Sequence, residues 1–188
     1  MRCLTSLAGT LLVLTALACD GPTIGDPGDP GDTAEALDAT TLSAVGRSIL
    51  MLDQCDPESF NAAIGAGTCV NRNGGITFDT FIQQLESQQT VPSWIFTPQV
   101  IHVAHEMTLP VVNGGGEVHT FTEVAEFGGG IVPILNLLTG NTTVAPECMS
   151  LGPADFVAAG GQTMHHFEPG ESEKYQCCIH PWMRSVSR

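Results

Sequence analysis

Basic side chains are scarce in this sequence: six Lys and Arg stand against 20 Asp and Glu, a formal charge of −14. A surface that acidic repels phosphate backbones and anionic head groups, which argues against nucleic acid as a partner. A basic protein is the partner that long-range attraction would favour, although the same charge also serves solubility alone. Aromatic residues are few, at 6%, but 43% of the chain is hydrophobic and only 14% charged, so a core is within reach. Neither a Cys-x-x-Cys nor a His-x-x-x-His pair occurs, which opposes structural zinc. A His-x-His pattern, as a catalytic copper with several imidazoles would need, is missing too. No internal repeat is evident. Past the first 18 residues no run approaches the roughly 20 apolar residues that cross a bilayer.

What is present suits one main domain with a small appendage: 188 residues, 21 Gly and 12 Pro, a turn-rich composition. Residues 1–18 carry one cation, Arg2, an apolar run centred on Leu11 to Leu14, and small residues before Cys19. That is the grammar of an export signal. The ending Leu17-Ala18-Cys19 resembles the lipobox of bacterial lipoproteins, which implies Cys19 as the lipidated first residue of the mature chain. Ala16-Leu17-Ala18 also reads as an ordinary A-x-A cleavage site that would release a soluble protein. Residues 19–38, rich in Gly, Pro, Asp and Thr, have almost nothing to bury and read as a flexible tether.

From Thr41 to about Gln89 the periodicity predicts two short amphipathic helices, with Leu42, Val45, Ile49 and Leu52 on one stripe and Phe78, Phe81, Ile82 and Leu85 on the other. Residues 39–92 are thus expected to form a helical segment. Cys55 and Cys69 bracket the loop between the helices; in an oxidising compartment a bond closing it contributes about 3 kcal/mol, the alternative being two unpaired core thiols. After Pro92 the pattern turns to short β-type runs at 94–96, 100–103, 108–112, 118–122 and 174–178, separated by Gly, Pro and Asn. A mainly β, antiparallel sandwich over 93–188 follows. It is interrupted from Gly128 to about Gly161 by an insertion of loops and short helices.

The most informative stretch is Tyr175-Gln176-Cys177-Cys178-Ile179-His180-Pro181-Trp182-Met183-Arg184. It sets a thiolate, an imidazole and a thioether within seven residues. A soft thiolate with imidazoles binds both Cu(I) and Cu(II), and a long, weak thioether favours the reduced state. The spacing Cys177-x-x-His180-x-x-Met183, with Pro181 after the histidine, Tyr175 two positions before the cysteine and Pro169-Gly170 ahead of that strand, resembles the cupredoxins, and among them amicyanin. The resemblance covers about 93–188 and implies a Greek-key β-sandwich holding one type 1 (blue) copper ion. The family's remaining ligand lies upstream, after an Asn turn, and Asn113-Gly114-Gly115-Gly116-Glu117-Val118-His119 supplies it. His119, Cys177, His180 and Met183 are then the implied ligands.

Small cupredoxins commonly have Asn directly after the first histidine, where it ties the two ligand loops together; this chain has Thr120 there. Successive side chains on a strand point to opposite faces, so only one of Cys177 and Cys178 faces the metal, and Cys177 has the amicyanin-like spacing. Cys178 is then free to pair with Cys148 and pin the insertion. Adjacent cysteines also oppose a dinuclear CuA centre. His102, His105, His165 and His166 read as solvated loop histidines. The resemblance implies a non-enzymatic one-electron carrier exchanging electrons with redox partner proteins, and the export signal with its lipobox-like ending makes it an exported, periplasmic or cell-surface protein, expected as a monomer, that reaches the membrane only through its lipid anchor. Ile179, Pro181 and Trp182 would be its docking patch. The alternative is a copper-binding or copper-buffering lipoprotein.

Overall fold

Two four-stranded sheets carry the molecule. The computed structural model describes residues 47–71 and 74–188; the export signal, the tether and Cys19 lie outside them, as do Leu42 and Val45. In the first sheet the strands β1 (Ile49–Leu52), β2 (Ile95–Thr97), β4 (Met107–Asn113) and β6 (Gln162–Phe167) stand in the order β2-β1-β4-β6. In the second, β3 (Val100–Ile101), β5 (Thr122–Val124), β7 (Lys174–Gln176) and β8 (Arg184–Ser187) stand in the order β3-β8-β7-β5. Buried side chains from both sheets meet between them: Phe167 on β6 packs against Tyr175 on β7, ring centroids 5.6 Å apart. The expected mainly β architecture is therefore present. The sheets are mixed rather than antiparallel throughout, because β1 runs parallel to β4 and β3 parallel to β8.

Ile49 and Leu52 do not belong to a helix. Their run Ile-Leu-Met-Leu is compatible with either period, and a short apolar run cannot choose between helix and strand by itself. Pairing chooses here: β1 lies between β2 and β4, with Ile49 and Met51 buried and Leu50 and Leu52 only half-buried. The stretch 39–92, expected as a helical segment ahead of the sandwich, thus contributes a central strand to it. Its helices are α1 (Pro57–Ala63), capped by the Asp56 carboxylate on Ser59 N at 2.9 Å, and α2 (Phe78–Gln88), capped by Thr77. The second predicted stripe holds, with Phe81 and Leu85 buried and Phe78 and Ile82 packed against the same core. Phe60, Phe78, Phe81 and Trp94 form one aromatic cluster under these helices.

Two strands carry no strong sequence signal. β6 is a polar edge strand with alternating exposure, and it holds His165 and His166, expected in a loop. β8 buries serines: Ser185 Oγ donates to the Pro98 carbonyl and Ser187 Oγ to Glu173. The run expected as a strand at 118–122 is a single bridge, His119 to Val157, followed by β5. In the insertion, α3 (Pro133–Leu138) and 3-10 turns at Pro146–Met149 and Pro153–Asp155 match the expectation of loops and short helices. Both disulfides are formed, Cys55–Cys69 and Cys148–Cys178. Among the described residues no helix is long and apolar enough to cross a membrane.

Candidate metal centre

β4 ends at Asn113, whose side chain organises the turn that follows. Its Oδ1 accepts from Gly115 N at 2.9 Å, the Asx geometry that makes Asn a turn former, while its Nδ2 donates to the carbonyls of Glu117 and Val157. A Cβ on Gly115 would fall 1.9 Å from Asp53 Oδ2, so only glycine lets the turn close over that carboxylate. The chain then enters His119, whose backbone exchanges two hydrogen bonds with Val157 of the insertion. The insertion thus buttresses this ligand loop rather than looping away from it.

The second loop leaves β7 at Cys177. Cys177 N donates to the Met183 carbonyl and Met183 N to the His180 carbonyl, which closes residues 177–183 into a tight turn. Cys177 belongs to the main core and Cys178 to a separate cluster with Val124, Ala145 and Cys148, as opposite faces require. The Cys148–Cys178 disulfide and an Ile131 N to Cys178 carbonyl bond of 2.7 Å fasten the insertion here.

The two loops bring three donors together. Nδ1 of His119 and Nδ1 of His180 each lie 3.8 Å from Cys177 Sγ, and the ligand atoms of all three residues fall within 4.8 Å of one another. All three residues are buried, and Cys177 is the free thiol among the described residues. Thiolate and imidazole donors sit about 2.3 and 2.0–2.1 Å from a first-row ion, so an ion at their centre spaces S and N by roughly 3.8 Å at 120° and roughly 3.5 Å at tetrahedral angles. The two sulfur–nitrogen spacings match the 120° value, and a thiolate with two imidazoles is a donor set that suits copper. Met183, the fourth candidate, is fully buried in the same turn.

The surroundings explain the protonation of the donors. Burial pushes the Cys177 thiol up, but the hydrogen bonds and charge of the two imidazoles hold it well below its ordinary range, as a ligand thiolate requires. Its sulfur also accepts backbone N–H groups of Thr120 and His180 at 3.4 and 3.5 Å. Burial opposes charge on His119, yet Asp53 and the Cys177 sulfur raise it to about 9 in the metal-free protein. Thr120 does the tying expected of an Asn: its Oγ1 accepts from Cys178 N at 2.8 Å while its own N–H reaches the sulfur, so both ligand loops are joined through one residue.

Three functional neighbours had no local sequence signal. Asp53, just past β1, meets His119 Nε2 at 2.9 Å, and Glu117 lies 3.5 Å from His180 Nε2. Trp94 donates its indole N–H to the same Glu117 oxygen at 2.7 Å. The other histidines stand apart: His102 and His105 are exposed, His166 faces Glu106 and Glu168 at the surface, and His165 packs among Phe121, Phe167 and Tyr175.

No family model and no curated protein matches the sequence. Solved structures that resemble the fold are cupredoxins. A purple cupredoxin from Nitrosopumilus maritimus is 15% identical, with a TM-score of 0.37 over 55% of this chain and 87% of that one. A reduced Cu(I) amicyanin variant is 17% identical, with a TM-score of 0.33 over 52% and 74%. Plastocyanin from Dryopteris crassirhizoma is 11% identical, with a TM-score of 0.33 over 50% and 86%. Similarity this slight transfers no residue role; the donor set itself speaks for a metal.

Proposed function

We propose that this chain is an exported one-electron carrier built on a single mononuclear type 1 copper, which His119 Nδ1, Cys177 Sγ and His180 Nδ1 would hold, with Met183 as the fourth, weaker donor. The observation that carries the reading is the buried set of one thiolate and two imidazoles, each nitrogen 3.8 Å from the sulfur. Copper in such a set supplies reversible one-electron chemistry. The protein's part is to hold still. Cys177 and His180 share one turn closed by two backbone bonds, and His119 is fixed on both sides by Val157 and Asp53. Donors so constrained move little between oxidation states, and with the sulfur fully buried, water is kept from the site.

Two disulfides fit an oxidising compartment, which supports export. Lipidation at Cys19, a monomeric state and docking of a redox partner beside the half-buried Ile179 and Trp182 complete the proposal. Copper buffering without electron transfer is the competing role; donors this buried oppose the rapid metal exchange that buffering requires. One equivalent of Cu(II) added to the purified protein tests the reading. The expected result is an intense band at roughly 600 nm, where a thiolate-to-copper transition of this ligand type absorbs. Cys177→Ala should abolish it, and an absent band in the unaltered protein would refute the copper site.

A further inference from the structure

Each imidazole that turns Nδ1 toward the sulfur has a buried carboxylate behind it. Asp53 Oδ2 lies 2.9 Å from His119 Nε2, with both side chains fully buried. Asp53 is itself held by three donors, because Oδ2 also accepts Glu117 N at 3.0 Å and Oδ1 accepts Cys55 N at 3.2 Å. Behind His180, Glu117 Oε2 stands 3.5 Å from Nε2 and takes the Trp94 indole N–H at 2.7 Å. Both carboxylates are nearly inaccessible, at 5% and 6% exposure. Such groups fix which ring nitrogen carries the proton and make the imidazole a stronger donor. A carboxylate oxygen only accepts, so Asp53 holds a proton on His119 Nε2, and Nδ1 is the nitrogen that gives up its proton to take a metal.

We infer that Asp53 and Glu117 form an anionic clamp on the outer nitrogens of the two imidazole ligands, positioning both rings and biasing the bound copper toward Cu(II). The clamp rests on the copper site proposed above and extends it by naming what sets its potential. Negative charge in a region this dry acts on the ion with little screening, and it favours the ion's higher charge. Its effect opposes that of the two N–H groups on the sulfur, which draw charge out of the thiolate. Asp53 is the stronger half, since its contact is shorter and its geometry is fixed from three directions. Residues just past β1, outside the stretch that carries the cysteine and histidine ligands, therefore govern the metal.

Asp53→Asn and Glu117→Gln preserve shape while removing charge, and two measurements on the full chain separate positioning from mere packing. In spectroelectrochemistry of the copper protein, Asp53→Asn should raise the reduction potential, with the Cu(II)-over-Cu(I) preference falling about tenfold, which is about 59 mV for one electron. Glu117→Gln should shift it in the same direction by less. In chelator competition with Zn(II), a redox-silent ion, Asp53→Asn should bind 10–100-fold more weakly, as losses of such supporting groups do. A purely structural role would lower the melting temperature and leave the potential in place. Should Asp53→Asn fail to fold, Glu117→Gln decides alone. Wild-type potential and wild-type Zn(II) affinity in the folded variants would overturn the clamp. If the unaltered protein lacks the copper band, the electron-carrier reading falls, and the Zn(II) competition still decides whether these carboxylates hold the imidazoles for a metal.

Discussion

The two imidazoles that face Cys177 are held by opposite means. His180 is placed by short-range chemistry: it shares a seven-residue turn with the sulfur, and its carboxylate neighbour stands off at 3.5 Å. His119 is placed by long-range chemistry. Asp53 from beyond β1, Val157 from the insertion and Asn113 from the end of β4 converge on its loop from distant parts of the chain. One side of the site is thus local and rimmed by Trp182, and the other is sealed into the core. A donor cluster assembled this way has one loop that tolerates change and one that depends on the whole fold.

The sharpest way to break that contrast is to remove each carboxylate outright. Asp53→Ala strips the buried partner from His119 and two backbone N–H groups, and should cost the metal-free protein about 3–5 kcal/mol in urea unfolding. Glu117→Ala leaves mainly the Trp94 N–H without a close acceptor and should cost about 1–3 kcal/mol. Equal losses would erase the distinction between the sealed and the local side.

The disulfides sharpen it next. Cys148–Cys178 closes a separation of 30 residues and Cys55–Cys69 one of 14. Chain-entropy reasoning assigns about 3.7 kcal/mol to the first and about 3.0 kcal/mol to the second. Paired Cys→Ser replacements, measured by denaturant unfolding, should follow that order. The first should also disturb the copper spectrum more, because Cys178 adjoins Cys177, the proposed ligand.

Thr120 bridges the two sides and offers a gentler probe. Thr120→Val removes the acceptor of Cys178 N and should cost about 1–2 kcal/mol, while Thr120→Ser keeps that acceptor and should stay close to wild type. A Ser variant as unstable as the Val variant would show that the hydroxyl's bond to Cys178 N does not by itself account for the loss.

The smallest expected effect lies outside the site. Burial, then the neighbouring Glu173, Glu171 and Glu147, raises the carboxyl of Glu123 above its usual 4.5. An acid whose folded value is raised lowers stability as pH climbs from the unfolded value through the folded one. Glu123→Gln should therefore melt slightly higher than wild type above that window and match it below, in melts at pH 3.5 and 7. A shift confined to the acid arm would contradict the assignment.

The same contrast explains what was legible in the sequence. The turn from Cys177 to Met183 was readable because its chemistry-bearing residues are neighbours in the chain, and so was the choice of Cys177 over Cys178, since strand alternation is a local rule. The mainly β class followed from short runs and turn residues. From sequence β1 reads as helix because four apolar residues fit either period, and only its pairing with β2 and β4 decides. β6 and β8 were missed because a polar edge strand and buried serines carry no hydrophobic alternation. Asp53 and Glu117 look like two more acids among 20 until the fold carries them to the imidazoles. Thr120 departs from the expected Asn, and the structure gives it the same joining role through a different atom.

X-ray absorption at the copper edge of the loaded protein decides between a thiolate-bound ion and any other, because it counts the atoms around the metal. The expected shell is one short sulfur and two imidazole nitrogens, with the sulfur lost in Cys177→Ser. An ion bound only by nitrogen and oxygen in the unaltered protein would contradict it.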